Sequence, residues 1–255
     1  MQTVYTVWIM KAKYELIYSL GHDCACTIYL NKFGLRSYAG PFDWINTPSA
    51  VDADFQTKIM CILNDFNDFL NPMDFQFLPK NPTMFNDERC DYYENIKTGF
   101  WFFHDFPVDV PFDDSFPKVK ESYQKRISRF YKEIKKNNRI LFIWFSYHFI
   151  SDNKLLIDLC NKVCKKFDKQ IDFLFIEHNE SLPLGKSKKT VISPNITKYS
   201  LYTRKWDLKG KLTTLGQEEY CGKIFKQYKL SFLAKIKWRL SRQLSLIGFQ
   251  IFCRF

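Results

Sequence analysis

Two cysteines lie in a short polar segment, Ser19 to Cys26, that separates two apolar runs of the sequence. The segment reads SLGHDCAC and follows a predicted strand, so its second half would begin a helix. Asp23 is a favoured N-cap residue, which would place Cys24 at the first helical position. There the unpaired N–H groups and the helix dipole favour an anion. A thiolate at Cys24 would be a nucleophile for acyl transfer, and the same N–H groups could hold an oxyanion.

The same segment allows two other interpretations. Cys24 could be a buried structural cysteine, and His22, Cys24 and Cys26 alternate as metal ligands could. Structural zinc usually needs four ligands in spaced pairs, and we see no partner pair, so we expect no metal. Cys160 and Cys164 share one face of a predicted helix, where they could bind metal or belong to the core. Cys26 lies about 200° around the helix from Cys24 and would face elsewhere.

A nucleophilic thiol needs a base, and the sequence offers four histidines. His104 follows an aromatic run in FFHDF, where apolar neighbours would hold its ring rigidly. His148 and His178 each follow a predicted buried strand, where they would line a site or simply be polar groups at a strand end. His22 fits a role in the turn. His104 is therefore one candidate for the base, and His148 and His178 stay open beside it.

The base also needs an orienting group. Asp43 lies within PFDW, between two aromatic side chains, and we predict it as the third member of the site. The alternative is a loop anchor that accepts backbone N–H groups. Asp105 adjoins His104, but neighbouring strand residues point to opposite faces, so it is a poorer partner.

The elements that must position these residues form an α/β pattern. Residues 139–147 read as a strand buried on both faces, 151–167 as a helix and 171–176 as a second buried strand, which together make a βαβ unit. The predicted fold class is therefore α/β, three-layer, with a mostly parallel sheet and flanking helices. We also predict strands at 14–20, 99–106 and 190–192, helices at 27–32, 48–69, 115–136 and 217–228, and irregular structure over 71–98.

We predict three parts: an N-terminal extension (1–13), a single α/β catalytic-type domain (14–229) and a basic amphipathic C-terminal helix (230–255). In the last part Leu233, Ile236, Leu240, Leu244, Ile247 and Ile251 recur at helical spacing, with basic residues between them. Such a helix could dock on the sheet, contact an anionic membrane surface through residues 231–255, or join two copies.

The net charge of +11 is divided unevenly along the chain. Residues 1–117 carry 8 Lys and Arg against 16 Asp and Glu, whereas residues 118–255 carry 30 against 11. This asymmetry indicates an anionic partner, and because no nucleic-acid module is recognisable we expect none of that class. The N-terminus lacks signal-peptide features, and no apolar run approaches about 20 residues. We expect a cytoplasmic protein with reduced cysteines, or one peripheral on the inner face of the membrane.

The motifs SLGHDC, LRSYAGPFDW, NDFNDFL and Phe103-His104-Asp105 together resemble a bacterial family of papain-like cysteine peptidases, over about residues 14–180. Members of that family often lie in surface-polysaccharide loci for capsule and O-antigen. The resemblance implies Cys24 as nucleophile and His104 as proton acceptor, whereas Asp43 is our geometric inference. It also implies an α+β papain-like fold as the alternative to a parallel sheet, although no papain-type CGSCW surrounds Cys24.

We therefore expect a thiol-dependent acyl-transfer enzyme that uses a Cys24–His104 pair and no cofactor. With water as acceptor it would be a peptidase or other hydrolase, and with a sugar hydroxyl it would be an acyl-CoA-dependent glycan acyltransferase. A non-catalytic glycan- or lipid-binding protein is a second hypothesis. A third is a glycosyltransferase-like enzyme, for which Asp52-Ala53-Asp54 is a weak sign because it falls in a predicted helix.

Overall fold

The computed structural model describes residues 12–47, 51–80, 88–146, 152–202, 218–236 and 240, and shows a mixed α/β fold. In chain order the elements are β1 (Ala12–Tyr14), β2 (Leu16–Ser19), α1 (Cys24–Lys32), β3 (Ile45–Asn46), α2 (Val51–Leu63), a 3-10 turn (Pro72–Asp74), β4 (Phe75–Phe77), β5 (Cys90–Asn95), β6 (Phe100–Pro107), α3 (Phe112–Lys136), β7 (Ile140–Phe145), α4 (Asn153–Phe167), β8 (Ile171–His178), β9 (Ser187–Ser193), β10 (Ile196–Leu201), α5 (Glu218–Phe225) and β11 (Tyr228–Leu230).

The largest sheet has five strands in the order β2-β7-β8-β10-β9. The pairs β2–β7, β7–β8 and β8–β10 are parallel, and β9 is antiparallel to β10. The βαβ unit predicted from the buried runs is present as β7-α4-β8. The carboxyl ends of β2, β7, β8 and β10 therefore meet at one edge, which is where the Cys24 turn begins.

Successive side chains along these strands belong alternately to two separate apolar clusters. Tyr18 and Trp144 pack with residues of α2, α3 and α4, whereas Ile17 and Ile143 pack with residues of α1 and α5. Because successive strand residues point to opposite faces, each cluster belongs to one face of the sheet. Both faces are thus buried, in agreement with the nearly continuous apolar sequence of β7.

A second sheet is antiparallel, with the order β3-β6-β5-β4. Tyr93 pairs with Phe102 and Asp91 pairs with Phe106. The chain therefore advances by four residues on β6 where it advances by two on β5. The extra residues form a bulge that contains His104. The prediction of irregular structure over 71–98 is wrong for β4 and β5, which are short strands between polar turns.

The two ends of the described chain meet in a third, two-stranded sheet. Ala12 to Tyr14 pair in parallel with Tyr228 to Leu230. The predicted extension (1–13) and tail (230–255) thus each contribute residues to a strand, while residues 1–11 and most of the tail lie outside the described part. Among the described residues, no helix combines the length and hydropathy needed to cross a bilayer.

Candidate active site

The turn that carries Cys24 follows β2 and stays hydrogen-bonded to the neighbouring strand β7. The amides of Leu20 and His22 donate to the carbonyls of Ile143 and Phe145, at 2.7 and 3.2 Å. The chain therefore continues along the sheet before it turns into α1. These backbone hydrogen bonds help to fix the position of the first helical residue.

Gly21 is required in this turn because there is no room for a side chain. A Cβ atom added there would lie 2.4 Å from the Cβ of Cys26 and 3.1 Å from Ser19 Oγ. Ser19 Oγ also accepts a hydrogen bond from the Gly21 amide at 3.1 Å. The turn and the first turn of α1 are thus packed directly against each other.

A buried lysine holds the turn from the side of α2. Lys58 is fully buried, and its Nζ donates to the carbonyl of Gly21 and, at 3.4 Å, to that of His22. Burying an ammonium group is costly unless its protons are bonded, so these contacts anchor both the lysine and the turn. Our sequence analysis missed this residue. The available signal was one lysine at helical spacing between the apolar residues Phe55 and Ile62.

Cys24 is the first residue of α1, as predicted, and is partly exposed. Asp23 caps the helix by accepting a hydrogen bond from the amide of Ala25 at 2.8 Å. Burial, the largest cause, and the Asp23 carboxylate together raise the pKa of the Cys24 thiol to about 12, against an opposing contribution from the backbone of Cys24. The resting form is therefore the thiol and not the thiolate expected at the helix start, because burial disfavours the charged form. Any reaction of Cys24 as a thiolate would need a base to remove the proton.

Cys26 faces away from Cys24, as the helical angle predicts. It is completely buried, and its Sγ donates to the carbonyl of Ile143 at 3.6 Å. Burial raises the pKa of this thiol as well, to about 12. Only Cys24, of the two thiols in the motif, is open to a substrate.

His104 lies in the bulge of β6, where its ring meets the indole of Trp44 edge to face at 5.8 Å between centroids. Bulges redirect side chains and are frequent beside active sites. Asp105 accepts a hydrogen bond from Tyr123 Oη at 2.9 Å, on the α3 side. Burial raises the pKa of Asp105, while Arg126, Tyr123 and His104 oppose the shift. Within the described residues, no hydrogen bond joins Cys24 to His104.

Asp43 is buried and holds the loop between α1 and β3. Its Oδ2 accepts hydrogen bonds from Arg36 Nε at 3.1 Å, from Arg36 Nη2 and from the Gly40 amide at 3.0 Å. These are the contacts of a loop anchor, the alternative stated for this residue. Trp44, the next residue, is the one that touches His104. Asp43 as the third catalytic member stays a prediction, and the described contacts do not link it to His104.

The other histidines occupy different surroundings. His22 is buried in the turn, and His178 is buried at the end of β8 with Nε2 3.5 Å from Glu180 Oε1. Its ring also contacts Tyr202 at 5.4 Å between centroids. His148 lies outside the described residues. His178 is therefore at the carboxyl edge of the sheet, as its sequence position predicted.

A buried polar cluster at the same edge was also missed. Glu177 accepts a hydrogen bond from Ser200 Oγ at 2.6 Å and lies 3.4 Å from Lys198 Nζ. Lys198 in turn donates to Asn153 Oδ1, at the first position of α4, at 3.1 Å. The alternation of polar and apolar residues in β10 was the available signal. The cluster joins two strands to a helix and is internally bonded.

Metal ligation has no support in the described part of the chain, where no group of three His, Cys, Asp or Glu side chains could hold an ion. Cys160 is a core residue, and Cys164 Sγ lies 3.7 Å from the carbonyl of Ile171. Asp52 and Asp54 fall in α2, as expected, and their side chains lie outside what the structure describes.

Comparison with known proteins gives one family and one relative. Residues 15–181 match a family described as "Putative papain-like cysteine peptidase". An uncharacterized protein of Acanthamoeba polyphaga mimivirus is 29% identical over 185 residues, which cover 65% of this chain and 78% of the viral protein. No solved structure matches. The matched region contains the Cys24 turn, the Asp43 loop and His104.

Proposed function

Because this chain belongs to the papain-like cysteine peptidase family, we propose that it cleaves acyl bonds through a covalent thioester on Cys24. The observation that carries the proposal is a partly exposed thiol at the first position of α1, next to a buried turn. The family match spans the turn and the strand of His104. A nucleophile at a helix start has N–H groups beside it that can stabilise a negative oxygen.

In the proposed mechanism His104 takes the proton of the Cys24 thiol as the substrate binds. The sulfur attacks the acyl carbon, a tetrahedral intermediate forms, and its collapse breaks the bond to the leaving group, which takes the proton from His104. Water then attacks the thioester, with His104 again as base, and releases the acid and the free thiol. The raised pKa of Cys24 supports general-base catalysis rather than a standing ion pair.

The turn supplies the oxyanion site in this proposal. Lys58 bonds the carbonyl of His22, and in a planar trans peptide the following N–H points the opposite way. The amide of Asp23 is thereby directed away from α2. The amide of Cys24 lies next along the helix start. Charge on a substrate oxygen would be met by these dipoles.

We further propose a three-layer arrangement around a mostly parallel sheet as the scaffold, rather than the two-part papain-like layout. The parallel pairs β2–β7, β7–β8 and β8–β10 support it. The separation of the sheet's apolar residues into two clusters, with helices in both, supports it as well. The antiparallel sheet with His104 would then be an insertion between β2 and β7.

The test is trapping of the acyl-enzyme. The protein is incubated with an activated acyl ester, quenched in acid and digested, and the mass of each cysteine-containing peptide is measured by mass spectrometry. We expect the acyl group on Cys24, no adduct there in Cys24→Ala, and a rate lower by about 10²–10⁴ in His104→Ala. Cys90→Ala is the matched control, since Cys90 is also partly exposed, and it should change nothing. An acylation rate that is unchanged in His104→Ala, or acylation mainly at Cys90, would refute the mechanism.

The same experiment separates hydrolysis from transfer. The positive charge of residues 118–255 favours an anionic donor such as an acyl-CoA, and a sugar hydroxyl as acceptor would suit a cytoplasmic step of surface-polysaccharide synthesis. Acylation of Cys24 by acetyl-CoA, with a thioester that persists in water until a sugar is added, would favour transfer. Rapid release in water alone would favour the hydrolase.

A further inference from the structure

A helical segment begins directly after β11 and is anchored at its first residue. Residues 232–236 and 240 are helical. Ser231 Oγ accepts a hydrogen bond from the amide of Ala234 at 3.2 Å, and the Ser231 carbonyl accepts one from the amide of Lys235 at 3.0 Å. Because β11 is paired with β1, the start of the segment is fixed to the body of the protein.

The large apolar residues described in this segment face solvent, whereas the small Ala234 packs against the apolar cluster of α1 and α5. Phe232 and Leu233 are 72% and 69% exposed, and Ile236 and Leu240 are 37% and 54% exposed. At helical spacing, residues 232, 233, 236 and 240 share one face. We call Phe232, Leu233, Ile236 and Leu240 the exposed apolar face. In α4, by contrast, the residues at the same spacing are buried.

The surroundings of this face are positively charged. From residue 220 to residue 255 the sequence holds eight Lys and Arg and no Asp or Glu. In the described part of that stretch Lys223, Lys226, Lys229 and Lys235 are all exposed. Two copies of such a stretch would repel each other, whereas an anionic lipid surface would attract it.

We propose that the exposed apolar face is a membrane-contact site that lies on an anionic phospholipid surface. The four apolar side chains would enter the boundary between headgroups and acyl chains, while the lysines would stay with the phosphates. No bilayer crossing is involved. The proposal depends on neither Cys24 nor the acyl-transfer chemistry, so each can fail without the other.

The test is flotation of the whole protein with vesicles of phosphatidylcholine mixed with phosphatidylglycerol, and with vesicles of phosphatidylcholine alone. We expect binding to the mixed vesicles, weaker binding as salt is raised, and little binding to the neutral ones. The triple variant Leu233→Ser, Ile236→Ser, Leu240→Ser should lose binding by roughly a hundredfold, because three apolar side chains no longer enter the lipid.

The matched control is Val191→Ser, since Val191 is 64% exposed on β9, far along the chain from the segment. It should bind as the original protein does. Acyl-enzyme formation on Cys24 serves as a check that the triple variant is folded, and circular dichroism gives the same check if no acyl-enzyme forms. Vesicle binding equal in the triple variant and the original protein would overturn the proposal. So would a concentration-dependent dimer that the same variant abolishes, because the face would then bind a second copy.

Discussion

The turn that carries Cys24 and the strand that carries His104 are held in place by different forces. The turn is fixed by directed hydrogen bonds from three sides, namely β7, Ser19 and Lys58. His104 lies in a bulge of the antiparallel strand β6, and its ring contacts the indole of Trp44, the residue before β3. The turn is thus held by hydrogen bonds, whereas the contact described for His104 is with an aromatic ring.

The hydrogen bonds leave the turn little freedom to adjust. A buried donor or acceptor that loses its partner costs the free energy of its desolvation, so movement that breaks the contacts of the turn is opposed. The turn is therefore the half of the site whose geometry we expect to stay fixed when a substrate binds.

The largest effect is expected from removing the buried lysine. Lys58→Met keeps the length of the side chain but leaves the Gly21 and His22 carbonyls without their donor. We expect a loss of about 2–4 kcal/mol in the free energy of unfolding, measured by urea denaturation. Lys118→Met on α3 is the control, because Lys118 is exposed, and it should change stability by less than about 0.5 kcal/mol. An equally stable Lys58→Met would show that the turn does not depend on this contact.

A smaller effect is expected at the loop beside His104. Asp43→Asn removes the charge that pairs with Arg36, and we expect the free energy of unfolding to fall by about 1–3 kcal/mol. Because both residues belong to one ion pair, the double variant Asp43→Asn, Arg36→Met should lose less stability than the sum of the two single variants. Asp68→Asn is the control, since its ion pair with Lys97 is exposed and worth about 0–1 kcal/mol. If Asp43→Asn instead keeps full stability and slows acyl-enzyme formation strongly, Asp43 is the third catalytic member.

The smallest effect concerns the ionisation of Cys24, the proposed nucleophile. Asp23→Asn keeps the helix cap, because asparagine caps as well as aspartate, but removes the negative charge that raises the pKa of Cys24. The pKa should fall, so at any pH below about 12 the thiolate fraction rises, and alkylation of Cys24 by iodoacetamide should quicken roughly threefold. Asp152→Asn, the same change at the cap of α4, should leave the rate unaltered. A slower rate in Asp23→Asn would contradict the assigned cause.

The Cys24 side of this comparison was largely predictable from sequence. Asp23 as N-cap placed Cys24 at the helix start, and the helical angle placed Cys26 on a different face of the helix. Both predictions depend only on residues that lie close to Cys24 in the sequence. Lys58 was not predicted, because its partners lie more than thirty positions away in sequence and periodicity gives a position on a helix but no partner.

The His104 side was less predictable. The aromatic run correctly predicted a strand, but the bulge depends on the register against β5, a strand that its polar composition concealed. Asp43 was predicted as the third catalytic member or, alternatively, as a loop anchor, and its described contacts are those of a loop anchor. Its partner Arg36 could not be chosen from sequence, because a loop of seven residues can bring many side chains to the same carboxylate. β10 was missed because serine, threonine and lysine interrupt its apolar residues.

The pairing of β1 with β11 has a consequence for the order in which the chain acquires its structure. During synthesis on the ribosome, β1 emerges before the other described strands of the protein and its partner β11 emerges after them. Every strand of the large sheet, together with Cys24 and His104, is made before β1 and β11 can meet. Closing so long a loop is slow compared with forming local contacts. We therefore expect the two-stranded sheet of β1 and β11 to form after the large sheet has folded. The basic segment after β11 is then positioned last.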